Sequence, residues 1–168
     1  MEIIMKPTII KATGNESFDF GGLGVDWKLE GVLSENRFSV IHHPIAAKAL
    51  AAPLHYHENE DEYSFVIKGR LGALLGDDVV IAGPGEWVVK PRHQWHTFWN
   101  PDDEPCEIIE IISPSGFENY FREVAAAWGD IEAFARINEK YKLGMKFESV
   151  PELCERFGLT FPELQPAG

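Results

Sequence analysis

Between Arg37 and Ile112 the chain is a series of short apolar stretches cut by turn residues, and this pattern limits the fold more than any other feature. Gly69-Arg70, Gly76-Asp77-Asp78, Gly83-Pro84-Gly85 and Pro101-Asp102-Asp103-Glu104-Pro105 are the interruptions. Glycine reaches backbone angles other residues avoid, and proline removes a ladder donor, so each cluster ends a strand. The segments between them predict strands over 37–45, 62–68, 71–75, 79–81, 86–90, 94–100 and 106–112. Residues 25–32 are a further candidate, and Ile9-Ile10 a possible short strand in an extended lead-in. Strands this short, separated by turns rather than helices, predict an all-β sandwich or barrel.

The pattern changes at Ser113. Phe117, Tyr120, Phe121, Val124 and Trp128 recur at helical spacing, with Ser115 and Glu118 placed as a capping box. Gly129 ends that helix, Asp130 caps the next, and Gly144 is expected to stop it. Ser149 and Glu152 suggest a second capping box before a short third helix that ends at Gly158. No flexible linker separates the two parts. The expectation is therefore one domain over 1–168, with a barrel core at about 17–114 and helices at about 115–158 capping its outside.

A net charge of −12 argues against a nucleic-acid-binding face and against adhesion to an anionic membrane. Cys106 heads an apolar strand and Cys154 lies in a predicted helix, a pairing that suits two reduced thiols better than a disulfide framework. No apolar run reaches the ~18 residues of a membrane span. The N-terminus has an early acid and no basic region, unlike a secretory signal. Cytoplasmic localisation is expected.

The chemistry concentrates in His55-Tyr56-His57-Glu58-Asn59-Glu60-Asp61-Glu62. Residues two apart on a strand share a face, so His55 and His57 aim the same way. Glu62 opens the next strand and can return toward the same point. His96 shares its face with Phe98 and Asn100 on a strand that can lie close by. Imidazole and carboxylate together suit a divalent transition metal. Glu58, Glu60 and Asp61 read as a solvated turn.

His55-x-His57-x4-Glu62-x6-Gly69 resembles the first motif of the cupin superfamily, and Gly85-x5-Pro91-x-His93-x2-His96-x3-Asn100 resembles the second. The resemblance implies a cupin-type jelly-roll barrel with His55, His57, Glu62 and His96 as ligands of one divalent ion: Fe, Mn, Ni, Co, Cu or Zn. Two positions depart from the motifs. Ala49 stands six residues before His55, and His93 stands in the second motif, where the family usually has glycine. Neither is a ligand position. His93 reads as a turn residue, with a proton-handling role at the pocket mouth as the alternative.

Small cupins of this kind resemble quercetinase-like dioxygenases. That implies a metal-dependent oxidoreductase acting on a small aromatic or enolisable, flavonol-like substrate. Glu62 would be a ligand or, released from the metal, a general base. The alternatives are a non-redox isomerase, lyase or cyclase, and a non-catalytic small-molecule-binding cupin. The ligand set weighs against the last. Strand parity places Ser64, Val66, Phe98 and Asn100 in the pocket, with His42 or His43 facing in, and His42 is the candidate taken. Arg70 and Arg92 read as solvated, Arg92 with the option of an anionic substrate. The tryptophans at 27, 87 and 128 are assigned to the core. Outward-facing Trp95 and Trp99 need cover, either from the C-terminal helices or from a second copy, and with the resemblance they favour a homodimer.

Overall fold

The computed structural model describes residues 8–13 and 15–162. Among the described residues, eleven strands form two antiparallel sheets that face each other as a jelly-roll barrel. One sheet has the order β1 (Ser17–Asp19), β2 (Gly24–Leu29), β3 (Ser39–Ile45), β10 (Cys106–Ser113), β5 (Asp61–Lys68), β8 (Trp87–Lys90). The other has the order β11 (Leu143–Lys146), β4 (Leu54–His57), β9 (His96–Trp99), β6 (Leu71–Leu75), β7 (Asp78–Ala82). The all-β expectation holds, and most strand limits shift by only a residue or two. Ile9 and Ile10 form no strand.

Burial follows the two-residue period. On β10, Cys106, Ile108, Glu110 and Ile112 are buried while their neighbours are not, and β3 alternates in the same way through Ser39, Ile41, His43 and Ile45. Inward apolar residues at one end of the barrel pack into a core of Leu23, Ile45, Val66, Leu71, Val88, Phe98 and Ile108. Each buried large aliphatic there contributes about 1.5–3 kcal/mol.

The C-terminal region does more than cap the outside. Helices α1 (Glu118–Ala126) and α2 (Ile131–Lys140) close one end of the barrel, joining Phe117, Tyr120, Val124 and Ile137 to Trp27, Ile41 and Ile112. Only α3 (Val150–Phe157) lies on the outer side, where Leu153 covers Leu50, Leu74 and Trp99. Trp99 is buried and stacks on Phe157 at 4.2 Å, so a helix supplies its cover. Trp95 packs against Tyr56 and Lys146. Neither tryptophan supplies an argument for a homodimer, which we retain as a proposal to be read by analytical ultracentrifugation. Of the tryptophans assigned to the core, Trp27 is buried, but Trp87 is 53 % exposed.

Strand β11 was not expected. Gly144 does not stop a helix; α2 ends at Lys140, and Gly144 lies within a strand paired to β4. The capping predictions divide. The Asp130 carboxylate accepts the Ala133 N–H. Glu118 instead accepts from Gly31 and Gly116, tying α1 to the β2–β3 loop. Ser149 accepts from Leu54 N–H and donates to the Lys146 carbonyl.

Gly72 on β6 lies directly under the Trp99 indole, and a methyl group there would overlap Nε1 and Cε2. Gly72→Ala is expected to cost about 1–3 kcal/mol by overpacking. Urea unfolding followed by tryptophan fluorescence measures it, and an unchanged midpoint would contradict this packing.

Candidate metal centre and adjoining cavity

Two strands from one sheet and one from the other bring the candidate ligands together. His55 and His57 sit two apart on β4, and β9 places His96 directly opposite His55. Glu62 faces them from β5. One ligand atom from each of the four residues lies within 4.8 Å of every other, and all four residues are buried. Glu62 Oε1 is 3.4 Å from His57 Nε2, and Oε2 is 3.4 Å from His96 Nε2.

The imidazoles are already oriented. His55 Nδ1 donates to the Pro53 carbonyl at 2.8 Å, and His96 Nδ1 to the Gln94 carbonyl at 3.0 Å. Each bond sets the proton on Nδ1 and turns Nε2 toward the cluster. Burial holds His55 well below the usual histidine range, helped by His96 and His57, and burial also lowers His96. Both are therefore neutral, the form that binds metal. His57 Nε2 and His96 Nε2 are buried without a hydrogen-bond partner. Buried nitrogens seldom stay unpaired, and a cation would satisfy both at once. The residues fit a divalent transition metal.

Glu60 is a correction to the solvated-turn reading. It is 7 % exposed, and its Oε2 lies 3.7 Å from His57 Nδ1. That is ion-pair range but too long for a hydrogen bond. Where His55 and His96 lean on carbonyls, His57 has a carboxylate. Glu60→Gln removes that charge and is expected to weaken metal affinity, by less than the ~10–100-fold usual for losing a hydrogen-bonded orienting partner. A chelator-competition titration measures it; unaltered affinity would return Glu60 to a purely structural role. Asp61 is likewise engaged. Arg92 donates to it through its backbone N–H and guanidinium, so Arg92 is committed to this pair.

His93 takes the left-handed turn conformation, with φ of 65°, and its backbone N–H donates to the His57 carbonyl at 2.8 Å. Its side chain is exposed. It fills the glycine position of the turn and tethers the ligand strand.

A cavity of about 100 Å³ adjoins the cluster, and His55, His57 and Glu62 form part of its wall. The rest is mostly apolar and rich in aromatic rings, among them Phe20, Phe98, Phe117, Tyr120, Phe121 and Trp128, the last of which was assigned to the core. Of the expected pocket residues, Phe98 lines the cavity and four others do not. Val66 belongs to the barrel core. The Asn100 amide is consumed by the carbonyls of Ile45, Ala46 and Glu104. His42 lies on the outer face between Asp26 and Glu107. Its neighbour His43 faces in, with Nδ1 bonded to the Gly24 carbonyl at 2.7 Å and burial lowering its pKa to about 4. The signal was parity, because His43 alternates with Ile41 and Ile45.

Ser64 leads to a network the sequence reading missed. Its hydroxyl donates to Glu110 Oε2 at 2.8 Å, and the Lys90 ammonium donates to the same oxygen at 2.8 Å. Lys90 also pairs with Glu62 Oε2 at 3.0 Å and lies 4.2 Å from the centre of the Phe98 ring. Lys90 and Glu110 are almost completely buried. Burial pushes the Glu110 carboxyl up to about 7, with Lys90 opposing and Glu62 adding to the rise. Burial alone would raise Glu62 too, but Lys90 and the nearby histidines hold it well below the usual carboxylate range. Lys90 stays charged, since the two carboxylates outweigh its burial.

Comparison with known proteins agrees with this fold. The family model of the cupin domain matches residues 43–112. KdgF from Halomonas sp. superposes with a TM-score of 0.59 at 17% identity, over 67% of this chain and 99% of that one. A predicted oxalate decarboxylase from Thermotoga maritima gives 0.57 at 16% identity, over 64% and 99%. A nucleoside dehydratase, whose companion structures come from Streptomyces, gives 0.55 at 12% identity, over 68% and 88%. These likenesses show a shared fold, the cupin-type jelly roll. No curated protein matches. Among the described residues, no helix is long and apolar enough to cross a membrane.

Proposed function

Taking residues 43–112 as a cupin domain, we propose that this chain is a metal-dependent dioxygenase acting on a small aromatic or enolisable substrate. One observation carries the reading: three imidazoles and a carboxylate meet at the wall of an apolar cavity rich in aromatic rings. A divalent ion held by His55, His57, Glu62 and His96 would polarise a substrate oxygen and, if redox-active, support reaction with dioxygen. Phe98, Phe117, Tyr120 and Phe121 supply apolar surface that exclude water and receive a flat, weakly polar ligand. His43 presents Nε2 as an acceptor, because Nδ1 is bound to Gly24. The small molecule is the proposed partner, and a cytoplasmic location is proposed with it.

A second reading has a specific observation behind it. The buried Lys90–Glu110 pair beside the cavity suits proton transfer without a change of oxidation state, as in an isomerase or lyase. Oxygen uptake separates the two. Protein loaded in turn with Fe, Mn, Ni, Co, Cu or Zn is given flavonol and enediol probes in an oxygen electrode. Uptake by the redox-active forms but not by the zinc form supports the dioxygenase. Conversion by the zinc form with no uptake in any form supports the second reading.

A further inference from the structure

Both readings require a substrate proton to leave, and two buried carboxylates stand near enough to the cavity to take it. Glu62 is poorly placed for the task. Its two oxygens face His57 and His96, and one also faces the Lys90 ammonium at 3.0 Å. A carboxylate engaged by a metal ion and an ammonium is a weak base. Glu110 differs. Lys90 and Ser64 both donate to its Oε2, while Oε1 is buried with no hydrogen-bond partner. Glu110 also lines the cavity. Leaving such an atom unpaired is costly, and a salt-bridge partner for Lys90 alone would not require that cost, since Glu62 already pairs with the ammonium.

We propose that Glu110, through Oε1, is the catalytic base of this site, and that Glu62 serves as metal ligand only. The inference rests on the metal-enzyme reading above. In the step, the C–H bond beside the substrate carbonyl breaks and its electron pair becomes the C=C bond of the enolate. The carbonyl oxygen takes the negative charge, and the proton goes to Glu110 Oε1. Lys90 and Ser64 hold the carboxyl group in place throughout. The environment suits the task, because burial raises the Glu110 carboxyl above the usual carboxylate range and makes it more basic.

The test uses zinc-loaded protein and 2-hydroxyacetophenone, an aromatic α-hydroxyketone, under anaerobic conditions in D₂O. Proton NMR follows wash-out of the hydrogens beside the carbonyl. Wild-type protein should accelerate wash-out, and Glu110→Gln should slow it about 100-fold or more with zinc content and probe affinity unchanged. Glu110→Asp keeps the charge beside Lys90 and should lie between them. The wild-type rate should rise with pH to a plateau as Glu110 ionises, and Glu110→Gln should lose that inflection, which a purely structural role would not produce. Exchange by zinc-loaded Glu110→Gln within about twofold of wild type would overturn the proposal. So would a wild-type protein that binds zinc and probe yet gives no acceleration over free zinc. Failure to bind zinc at all would be seen by elemental analysis before the probe is added, and would overturn the metal-enzyme reading itself.

Discussion

Lys90→Met should destabilise the protein by about 3–5 kcal/mol, the usual result of removing one partner from a buried ion pair. The ammonium lies between Glu62 and Glu110 with no exposure of its side chain, so removing it strands two carboxylates away from water. The pH dependence follows. In the metal-free protein burial already raises Glu110, and losing Lys90 removes the charge that opposes this rise and the largest one holding Glu62 down. A group with a raised pKa favours the folded state below its unfolded pKa and loses that contribution as pH rises through the folded value. The deficit of Lys90→Met against wild type should therefore be largest at neutral pH and shrink toward pH ~5. Urea unfolding at several pH values measures it. Pairing Lys90→Met with Glu110→Leu should recover part of the loss, since a matched apolar replacement is milder than a stranded charge. A uniform cost at every pH would indicate lost packing against Phe98 rather than lost charge compensation.

His96→Ala and His55→Ala should each remove the metal while the barrel stays folded. Both rings are buried and each contributes one nitrogen to the cluster. Losing a direct ligand should exceed the ~10–100-fold effect of losing a hydrogen-bonded partner of a ligand. Elemental analysis of purified protein should find little metal in either variant. Thermal unfolding gives an independent reading. A metal that binds only the folded state adds about 4 kcal/mol at a thousand times its dissociation constant, so wild type should melt higher when metal is added and the variants should not. Full metal content in both variants would eliminate the site.

The alternation of strands carried most of what the sequence disclosed. His55 and His57 could be assigned to one face because a strand turns its side chains every second residue, and burial at β4 alternates accordingly. The same rule located Phe98 beside His96. It could not choose between His42 and His43 until Ile41 and Ile45 were weighed as inward neighbours of His43. It failed at Glu110, because Ile109 and Ile111 are as apolar as Ile108 and Ile112, leaving no sign of which face of β10 was inside. Lys90 was hidden for another reason. A lone lysine at a strand end reads as solvated, and only cross-strand register, with Glu62 opposite Lys90 and Ser64 opposite Glu110, reveals its partners. Glu60 was misread because three acids in one short turn suggest solvent, while its burial depends on how that turn folds back toward His57. Strand β11 has four residues, and nothing local tells such a segment from a helix end; its partner β4 is distant in sequence.

That pairing bears on the order in which the molecule is made. Strand β4 carries two of the four candidate ligands, and β11 registers along its full length, Leu143 against His57 and Met145 against His55. Its other neighbour, β9, meets it only at His55 and His96. During synthesis on the ribosome, the ligand strand thus emerges long before the segment that secures its open edge. The ligand strand gains its full-length partner only when residues near the end of the chain have been translated and folded back.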